Sequence, residues 1–183
     1  MRIIKSETIT ETIKELCIKG ACHLPTDVYN RLLEAISTED SPVSKHTLEI
    51  LKENADIASQ NQEPICQDTG MACIFVEIGQ EVYVEGNLTE AINEGVRQGY
   101  TEGYLRKSVV DDPVFDRINT KDNTPAIIHY DIVPGDKLKI TVAPKGFGSE
   151  NMCQVKMLKP SDGIEDVVSI GSKSTETKTG EDA

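Results

Sequence analysis

Four short segments of the sequence place residues that can bind metals or anions beside glycine and proline. The first, residues 64–70, sets a thiol, a carboxamide and a carboxylate in succession as Cys66, Gln67 and Asp68. Its proline and glycine are typical of a loop. A thiolate there can ligate a soft metal, and the two polar neighbours can face a substrate. Asp-Thr-Gly also suits an ordinary turn, so this segment alone leaves both interpretations open.

The other three segments are individually as ambiguous. Arg106, at a predicted helix end, can clamp a carboxylate with two parallel hydrogen bonds or simply be solvated. His129 follows the polar stretch 119–125 in a predicted strand, where a lone histidine is more often a core residue than a ligand. Residues 144–151 combine glycines with lysine and serine, which suggests backbone amides facing an anion. The Gly-Lys-Ser/Thr sequence of a Walker A loop is absent.

Together and in this order, the segments resemble the N-terminal part of the class I, iron–sulfur-dependent fumarase and L-tartrate dehydratase family. The likeness is greatest to the α-subunit version, in which the enzyme is divided between two chains, and it extends to about Val167. The matching segments are PICQDTG (64–70), YLRKSVV (104–110), DP (112–113), DNTPAIIH (122–129), IVPGD (132–136), KGFGSEN (145–151) and KMLKPSDG (156–163).

The resemblance implies a hydro-lyase that adds water reversibly across the double bond of a dicarboxylate. The expected substrate pair is fumarate and (S)-malate, with L-tartrate dehydration as the alternative. The implied cofactor is a [4Fe–4S] cluster on three cysteines, whose open iron acts as a Lewis acid. Cys66 then matches the first cluster ligand. Gln67, Asp68, Arg106 and Gly148 match substrate-binding positions, and Asp68 is the candidate catalytic residue for proton transfer.

The chain departs from this family where the remaining cluster ligands should be. The family's second and third cluster cysteines lie later, each in a Cys-Pro segment, and this chain has no Cys-Pro. Cys153 lies in a segment that carries no family ligand, and Cys73 is expected to point into the core. We therefore expect a hetero-oligomer with the β-subunit of the same enzyme. The alternative is a truncated, non-catalytic remnant that only folds and pairs with a partner. A zinc or redox site using Cys66 and Cys73 is disfavoured, since neither Cys-x-x-Cys nor ligand spacing is present.

The first third of the chain, which precedes the first segment, has the periodicity of helices. Ser41-Pro42 is a typical N-cap followed by an N1 proline. Gly20 and Pro25 suggest the end of one helix and the start of the next. The positions predicted to be buried are Ile9, Ile13, Leu16 and Cys17 in the first helix, Val28, Leu32, Leu33 and Ile36 in the second, and Leu48, Leu51, Ala55 and Ala58 in the third.

Beyond residue 70 the pattern alternates between strands and one helix. Strands are predicted over 72–78, 82–85, 126–133 and 137–142. A helix is predicted from Asn87 to about Arg106, with three glycines on one face, which usually means close packing against another backbone. The expected fold is therefore a mixed α/β (α+β) domain, with a helical N-terminal region followed by a mixed sheet and an intervening helix.

Composition sets the remaining limits. The 183 residues carry 19 Lys+Arg and 31 Asp+Glu, a net charge of −12 that argues against nucleic-acid and anionic-membrane partners. A small dicarboxylate remains compatible, because a few cations suffice to bind it. The length suits one core, which we assign to 1–167, while the polar stretch 168–183 is predicted to be disordered. The N-terminus lacks a signal-peptide core and the cysteine spacing is not that of a secreted protein, so we expect a cytoplasmic location.

Overall fold

The structure, a computed structural model, describes residues 1–148, 155–165 and 167–168. The chain divides into two compact units, Met1–Gly146 and Phe147–Ala183. The helices and strands of the first unit are, in chain order, β1 (Arg2–Lys5), α1 (Ser6–Cys22), α2 (Thr26–Thr38), α3 (Pro42–Asn61), β2 (Met71–Gly79), β3 (Val82–Glu85), α4 (Leu88–Glu102), β4 (Ile127–Val133) and β5 (Leu138–Lys145).

The core of the first unit is built on the contact between α1 and α4. Ile9, Ile13 and Cys17 recur on one face of α1 and are at most 2% exposed. The glycines of α4 let the two backbones approach. A Cβ placed on Gly95 would lie 2.6 Å from the Cβ of Ile13, and one on Gly99 would lie 2.8 Å from the Cβ of Cys17. The prediction that these glycines mean close packing is confirmed.

A mixed three-stranded sheet in the order β4-β2-β5 completes this core. Strand β2 pairs in parallel with β4 and antiparallel with β5. Ala72, Ile74 and Val76 point inward and are almost fully buried. Burial of the Ile74 and Val76 side chains contributes about 1.5–3 kcal/mol each. Strands β1 and β3 form a separate parallel pair. The expected mixed α+β fold, helical at its N-terminus, is confirmed, although strand β1 was not predicted.

Helix α3 follows the prediction at its start and only partly along its length. The Ser41 hydroxyl accepts a hydrogen bond from the amide of Ser44 at 3.5 Å, and proline occupies the first turn. Ala55 and Ala58 are buried as predicted, but Leu51 is 52% exposed. The spacing of apolar residues therefore predicted the helix correctly. It did not predict how much of the apolar face other elements cover.

The prediction for α2 is wrong in the same way, because none of its residues is buried. Val28 and Leu33 are exposed, and Leu32 and Ile36 are half-buried. Two helix ends also differ from expectation. Helix α1 continues past Gly20 to Cys22, and α4 stops at Glu102 because Tyr104 turns the chain with a φ of 52°.

Two residues expected in the core lie on the outer face of the sheet. Cys73 is half-buried between the inward-pointing Ala72 and Ile74, so the prediction that Cys73 points into the core is wrong. The side chain of His129 is exposed and stacks on Phe75, with ring centroids 5.0 Å apart and planes 14° apart. Alternation along a strand sends neighbouring residues to opposite faces.

In the second unit, residues 159–162 form a tight turn. The amide of Lys159 donates to the Asp162 carboxylate at 2.8 Å, and the amide of Asp162 donates back to the Lys159 carbonyl at 2.9 Å. Apart from Val168, the tail predicted to be disordered (168–183) lies outside the described residues, as does Cys153. Among the helices described, none combines the length and apolar composition needed to cross a bilayer.

Candidate active site

A cleft of about 550 Å³ brings together two segments that are far apart in sequence. Residues 63–69 form one wall and residues 104–106 form the other. The cleft collects three of the predicted site residues, Cys66, Gln67 and Arg106, all of which are exposed. The cleft is lined by Glu63, Pro64, Cys66, Gln67, Thr69, Tyr104 and Arg106.

A second cleft of about 390 Å³ lies against β1, the start of α1 and strand β5. Its lining is aliphatic, threonine or basic and includes no thiol, carboxylate or imidazole. The residues that line it are Arg2, Ile3, Ile4, Lys5, Thr8, Ile9, Thr12, Leu138 and Ile140. Of these two clefts, the one around Cys66 is lined by a thiol and a carboxylate, which makes it the candidate site.

The loop that carries Cys66 is held at its base by helices α1 and α3. The amide of Ile65 donates to the Ala21 carbonyl at 2.9 Å, and the side chain of Asn54 donates to the Ile65 carbonyl at 2.9 Å. Within the loop, the amide of Asp68 donates to the sulfur of Cys66 at 3.4 Å. The thiol is therefore presented to solvent from an anchored backbone.

Arg106 reaches the cleft because the chain turns sharply after α4. Tyr104 adopts the left-handed conformation, and Leu105, only 2% exposed, anchors the turn in the core. Arg106 then faces solvent while its backbone is tied to the opposite wall. Its carbonyl accepts a hydrogen bond from the Thr69 hydroxyl at 2.7 Å, which joins the two walls directly.

Tyr100 supports this junction from the core. Its buried hydroxyl donates to the Thr69 carbonyl at 2.9 Å. Burial raises the pKa of Tyr100 well above its usual value, so the hydroxyl keeps its proton and remains a donor. The hydroxyl and the carbonyl of Thr69 are thus both hydrogen-bonded, the hydroxyl to the Arg106 carbonyl and the carbonyl to the Tyr100 hydroxyl. These two bonds hold the loop in place.

Asn123 is the residue that sequence analysis missed. It is fully buried, and its amide nitrogen donates to the Gly70 carbonyl at 2.9 Å. Its side-chain oxygen accepts from the amides of Ser108 at 2.7 Å and Val109 at 3.2 Å. One side chain therefore ties both walls of the cleft to a third segment. The sequence feature that could have identified Asn123 is its position in DNTPAIIH (122–129), one of the segments that carry the family resemblance. The resemblance assigned that segment no role for the asparagine.

The neighbouring Asp122 holds this third segment to α4. Its carboxylate accepts from the Thr124 hydroxyl at 2.8 Å and from Arg97 Nε at 3.1 Å. Partial burial raises the pKa of Asp122, but these hydrogen bonds outweigh burial and leave the pKa below its usual value. Asp122 is therefore ionised at neutral pH and its role here is structural.

Asp68, also a predicted site residue, does not line the cleft. A Cβ placed on Gly146 would lie 2.7 Å from Asp68 Oδ2, so the carboxylate lies against the backbone that follows β5. Gly70, with a φ of 58°, brings the loop equally close to β5, since a Cβ there would lie 1.8 Å from the Lys145 carbonyl oxygen. A side chain at either glycine would push the loop away.

The remaining predicted residues lie elsewhere. Gly148 lies in the second unit, where it is exposed, and a Cβ placed on it would meet no atom within 4 Å. Lys145, at the end of β5, donates to the Gly146 carbonyl. His129 does not line the cleft either. The structure therefore assigns Lys145 and His129 no place in the cleft.

The thiols differ in their availability to a metal. Burial raises the pKa of Cys17 to about 12 and also raises that of Cys22, so both stay protonated at neutral pH. Cys73 is half-buried, and Cys66 is the exposed free thiol of the described residues.

No group of three His, Cys, Asp or Glu side chains that could hold a metal occurs among the described residues. The donors described do not by themselves fit a [4Fe–4S] cluster, which needs three thiolates.

Comparison with known proteins confirms the resemblance. Residues 10–179 match the family described as fumarate hydratase (Fumerase). Over 164 residues the chain is 41% identical to the putative L(+)-tartrate dehydratase subunit alpha of Methanocaldococcus jannaschii, covering 87% of this chain and 58% of that protein. It is 29% identical to the L(+)-tartrate dehydratase subunit alpha of Escherichia coli K12 over 87% of this chain and 54% of that subunit. The chain thus spans a little over half the length of these relatives, and it belongs to the fumarate hydratase (Fumerase) family.

Proposed function

We propose that this chain is the α-subunit, or its N-terminal part, of an iron–sulfur hydro-lyase that reversibly hydrates fumarate to (S)-malate. The supporting observation is that Cys66, Gln67 and Arg106 line one cleft, although two strands and a helix separate Arg106 from the other two in sequence. A metal ligand, an amide and a guanidinium around one cavity suit a small dianion that must be bound and polarised together.

In the proposed site this chain mainly binds and orients the substrate. The guanidinium of Arg106 holds one carboxylate with paired hydrogen bonds, and the amide of Gln67 bonds a second oxygen of the substrate. Water then adds as a hydroxyl to one alkene carbon and a proton to the other, and the reverse reaction releases both. The role of Asp68 in proton transfer and of Gly148 as a backbone contact rests on the family resemblance, because neither residue lines the cleft.

The proposed cofactor is a [4Fe–4S] cluster for which Cys66 is one ligand. The other two thiolates are assigned to parts of the assembled enzyme beyond the residues described here, since those residues offer no second ligand set. The proposed partner is a β-subunit, because the curated relatives are themselves named alpha subunits. We therefore propose a hetero-oligomer whose active site is completed by both chains.

L(+)-tartrate dehydration is the second candidate reaction, and the names of the relatives favour it. Both substrates are four-carbon dicarboxylates, so Arg106 and Gln67 serve either of them. The third candidate is a non-catalytic remnant that folds and pairs with a partner. The single exposed thiol of the described residues motivates that candidate.

The test is an anaerobic activity assay of the full chain co-purified with its cognate β chain. Fumarate, (S)-malate and L-tartrate are offered separately, and the products are identified by chromatography. We expect interconversion of fumarate and (S)-malate that is lost on exposure to air. Turnover of L-tartrate alone would select the second candidate, while no turnover of any substrate by a preparation holding an intact cluster would refute the hydro-lyase proposal.

A matched pair of arginine variants tests the site itself. Arg106→Lys keeps the charge but removes the planar pair of donors, and we expect a KM for the dicarboxylate at least tenfold higher. Arg31→Lys makes the same change on α2, where the arginine is 80% exposed, and should leave KM unchanged. Equal KM values for the two variants would show that Arg106 does not bind the substrate.

A further inference from the structure

Immediately after the Arg106 wall, the chain forms a hydrogen-bonded hairpin loop over residues 110–119. Val110 and Asn119 pair as an antiparallel bridge, and the amide of Asp111 donates to the Ile118 carbonyl at 2.9 Å. The amide of Arg117 closes the loop by donating to the Asp112 carbonyl at 2.8 Å. The backbone of this hairpin loop is therefore held by its own bonds.

The tip of the hairpin loop is fixed by a side-chain cap. Asp112 Oδ1 accepts from the amides of Val114 at 2.8 Å and Phe115 at 3.0 Å. Those hydrogen bonds, with that of Phe115 the largest contributor, hold the pKa of Asp112 below its usual value, so the cap is ionised at neutral pH. The guanidinium of Arg117 donates to the Pro113 carbonyl at 3.1 Å. The tip is ordered by polar groups, without burial of its apolar side chains.

Those apolar side chains face water. Phe115 is 84% exposed, Val114 67% and Ile118 60%. Single exposed apolar residues are ordinary, but three within five positions on a fixed loop form a patch of the kind that marks protein interfaces. Aromatic anchors in such patches are frequent centres of binding energy. A preordered tip also lowers the entropy lost on binding.

The hairpin loop directly follows the wall of the candidate site that carries Arg106. The side chain of Asn119 donates to the carbonyl of Lys107 at 3.0 Å, one residue beyond Arg106. An arm of four residues reaches at most about 13 Å. The hairpin loop is therefore a surface adjoining the Arg106 wall, which a chain that completes the ligand set of Cys66 can contact.

We propose that the 110–119 hairpin loop docks into the complementary chain that completes the Cys66 site, with Phe115 as the anchor in an apolar pocket whose rim is basic. The basic rim follows from charge, since the loop carries Asp111, Asp112 and Asp116 against Arg117 alone. The identification of the partner as the β chain rests on the proposed function. The docking surface itself is inferred from the exposed apolar side chains and the hydrogen bonds of the loop.

The experiment is calorimetric titration of the full chain with its purified cognate β chain. We expect Phe115→Ser to raise Kd about thirtyfold, which is about 2 kcal/mol, while the melting temperature of the free chain stays the same. Val114→Ser should weaken binding by severalfold. Val43→Ser makes the same substitution at a position that is 77% exposed on α3 and should leave Kd within twofold of wild type. Asp116→Lys should slow association most strongly at low salt.

Hydro-lyase activity of the same mixtures separates the two proposals. An active wild-type pair whose Kd is unchanged by Phe115→Ser overturns the docking surface and leaves the proposed function standing. Phe115-dependent binding by a pair that holds an intact cluster but turns over none of the three dicarboxylates leaves the surface standing and removes the function. A Phe115-dependent dimer of this chain alone, seen by sedimentation, would identify a second copy as the occupant and overturn the proposal.

Discussion

Replacing Asn123 tests whether one buried side chain holds the two walls of the cleft together. Asn123→Ala removes the hydrogen bond to the Gly70 carbonyl and both bonds from the amides of Ser108 and Val109. Asn123 is 0% exposed and Val109 6% exposed, so water has little access to the groups left behind. The change also places alanine at a φ of 63°, a conformation that asparagine tolerates better.

The expected loss follows from counting the groups that become unsatisfied. The Gly70 carbonyl and the Val109 amide are buried, and each costs about 1–3 kcal/mol without a partner. The amide of Ser108 belongs to an exposed residue and can bond to water. The left-handed backbone adds about 1 kcal/mol for alanine. We therefore expect Asn123→Ala to lower the free energy of unfolding by about 3–7 kcal/mol, a large part of the 5–15 kcal/mol typical of a domain.

The assay is urea unfolding followed by circular dichroism, with the free energy extrapolated to water. Asn123→Gly separates the two contributions, because glycine removes the side chain without backbone strain and should cost about 1 kcal/mol less than alanine. Asn30→Ala, on the exposed face of α2, should stay within about 0.5 kcal/mol of wild type. A loss below about 1 kcal/mol for Asn123→Ala would refute the account of Asn123 as the tie between the walls.

Three further changes test the core and the polar supports of the site. Gly95→Ala should destabilise the fold by about 1–3 kcal/mol in urea unfolding, despite alanine's better helix propensity, since its Cβ would overlap Ile13. Tyr100→Phe should cost about 1 kcal/mol or more in the same assay, because the buried Thr69 carbonyl loses its donor. Asp122→Asn should lower the free energy of unfolding at pH 7 by up to about 1 kcal/mol, with the difference from wild type vanishing as the pH falls below about 3.8.

The sign of the last prediction follows from the direction of the pKa shift. A carboxylate whose pKa is lower in the folded protein stabilises the fold above its ordinary pKa and loses that contribution as acid protonates it. A deficit for Asp122→Asn that grows on acidification would contradict the assignment. For the other two variants, a free energy of unfolding equal to or above that of wild type would contradict the packing at Gly95 or the hydrogen bond from Tyr100.

The parts of the fold that depend on short spacings could be predicted. The glycines of α4 lie four residues apart, so their common face follows from helix geometry alone, and the structure places α1 against it. The N-cap at Asn87 is likewise local, with its side chain accepting from the amide of Glu90 at 3.2 Å. What covers an apolar face is decided by distant elements. The exposure of α2 therefore escaped prediction although its periodicity was recognised.

In the candidate site too, local sequence segments could be recognised, whereas contacts between distant segments could not be predicted. The segments that carry Cys66, Gln67 and Arg106 were recognised by their resemblance to a family, and the structure brings those three residues to one cleft. Their chemical roles stay predictions. The contact of Asn123 with Gly70 spans 53 positions and depends on a tertiary arrangement that no local pattern encodes. The position of Asp68 against Gly146 is non-local for the same reason.

The most direct test of the central claim, that Cys66 is one ligand of a cluster completed by another chain, is the iron and sulfide content after anaerobic reconstitution. We expect about four of each per complex of this chain with its β chain, and close to none for this chain alone. Cys66→Ser should abolish cluster retention in the complex, while Cys73→Ser should preserve it. About four irons and sulfides on the isolated chain, or a full cluster in the Cys66→Ser complex, would contradict the account.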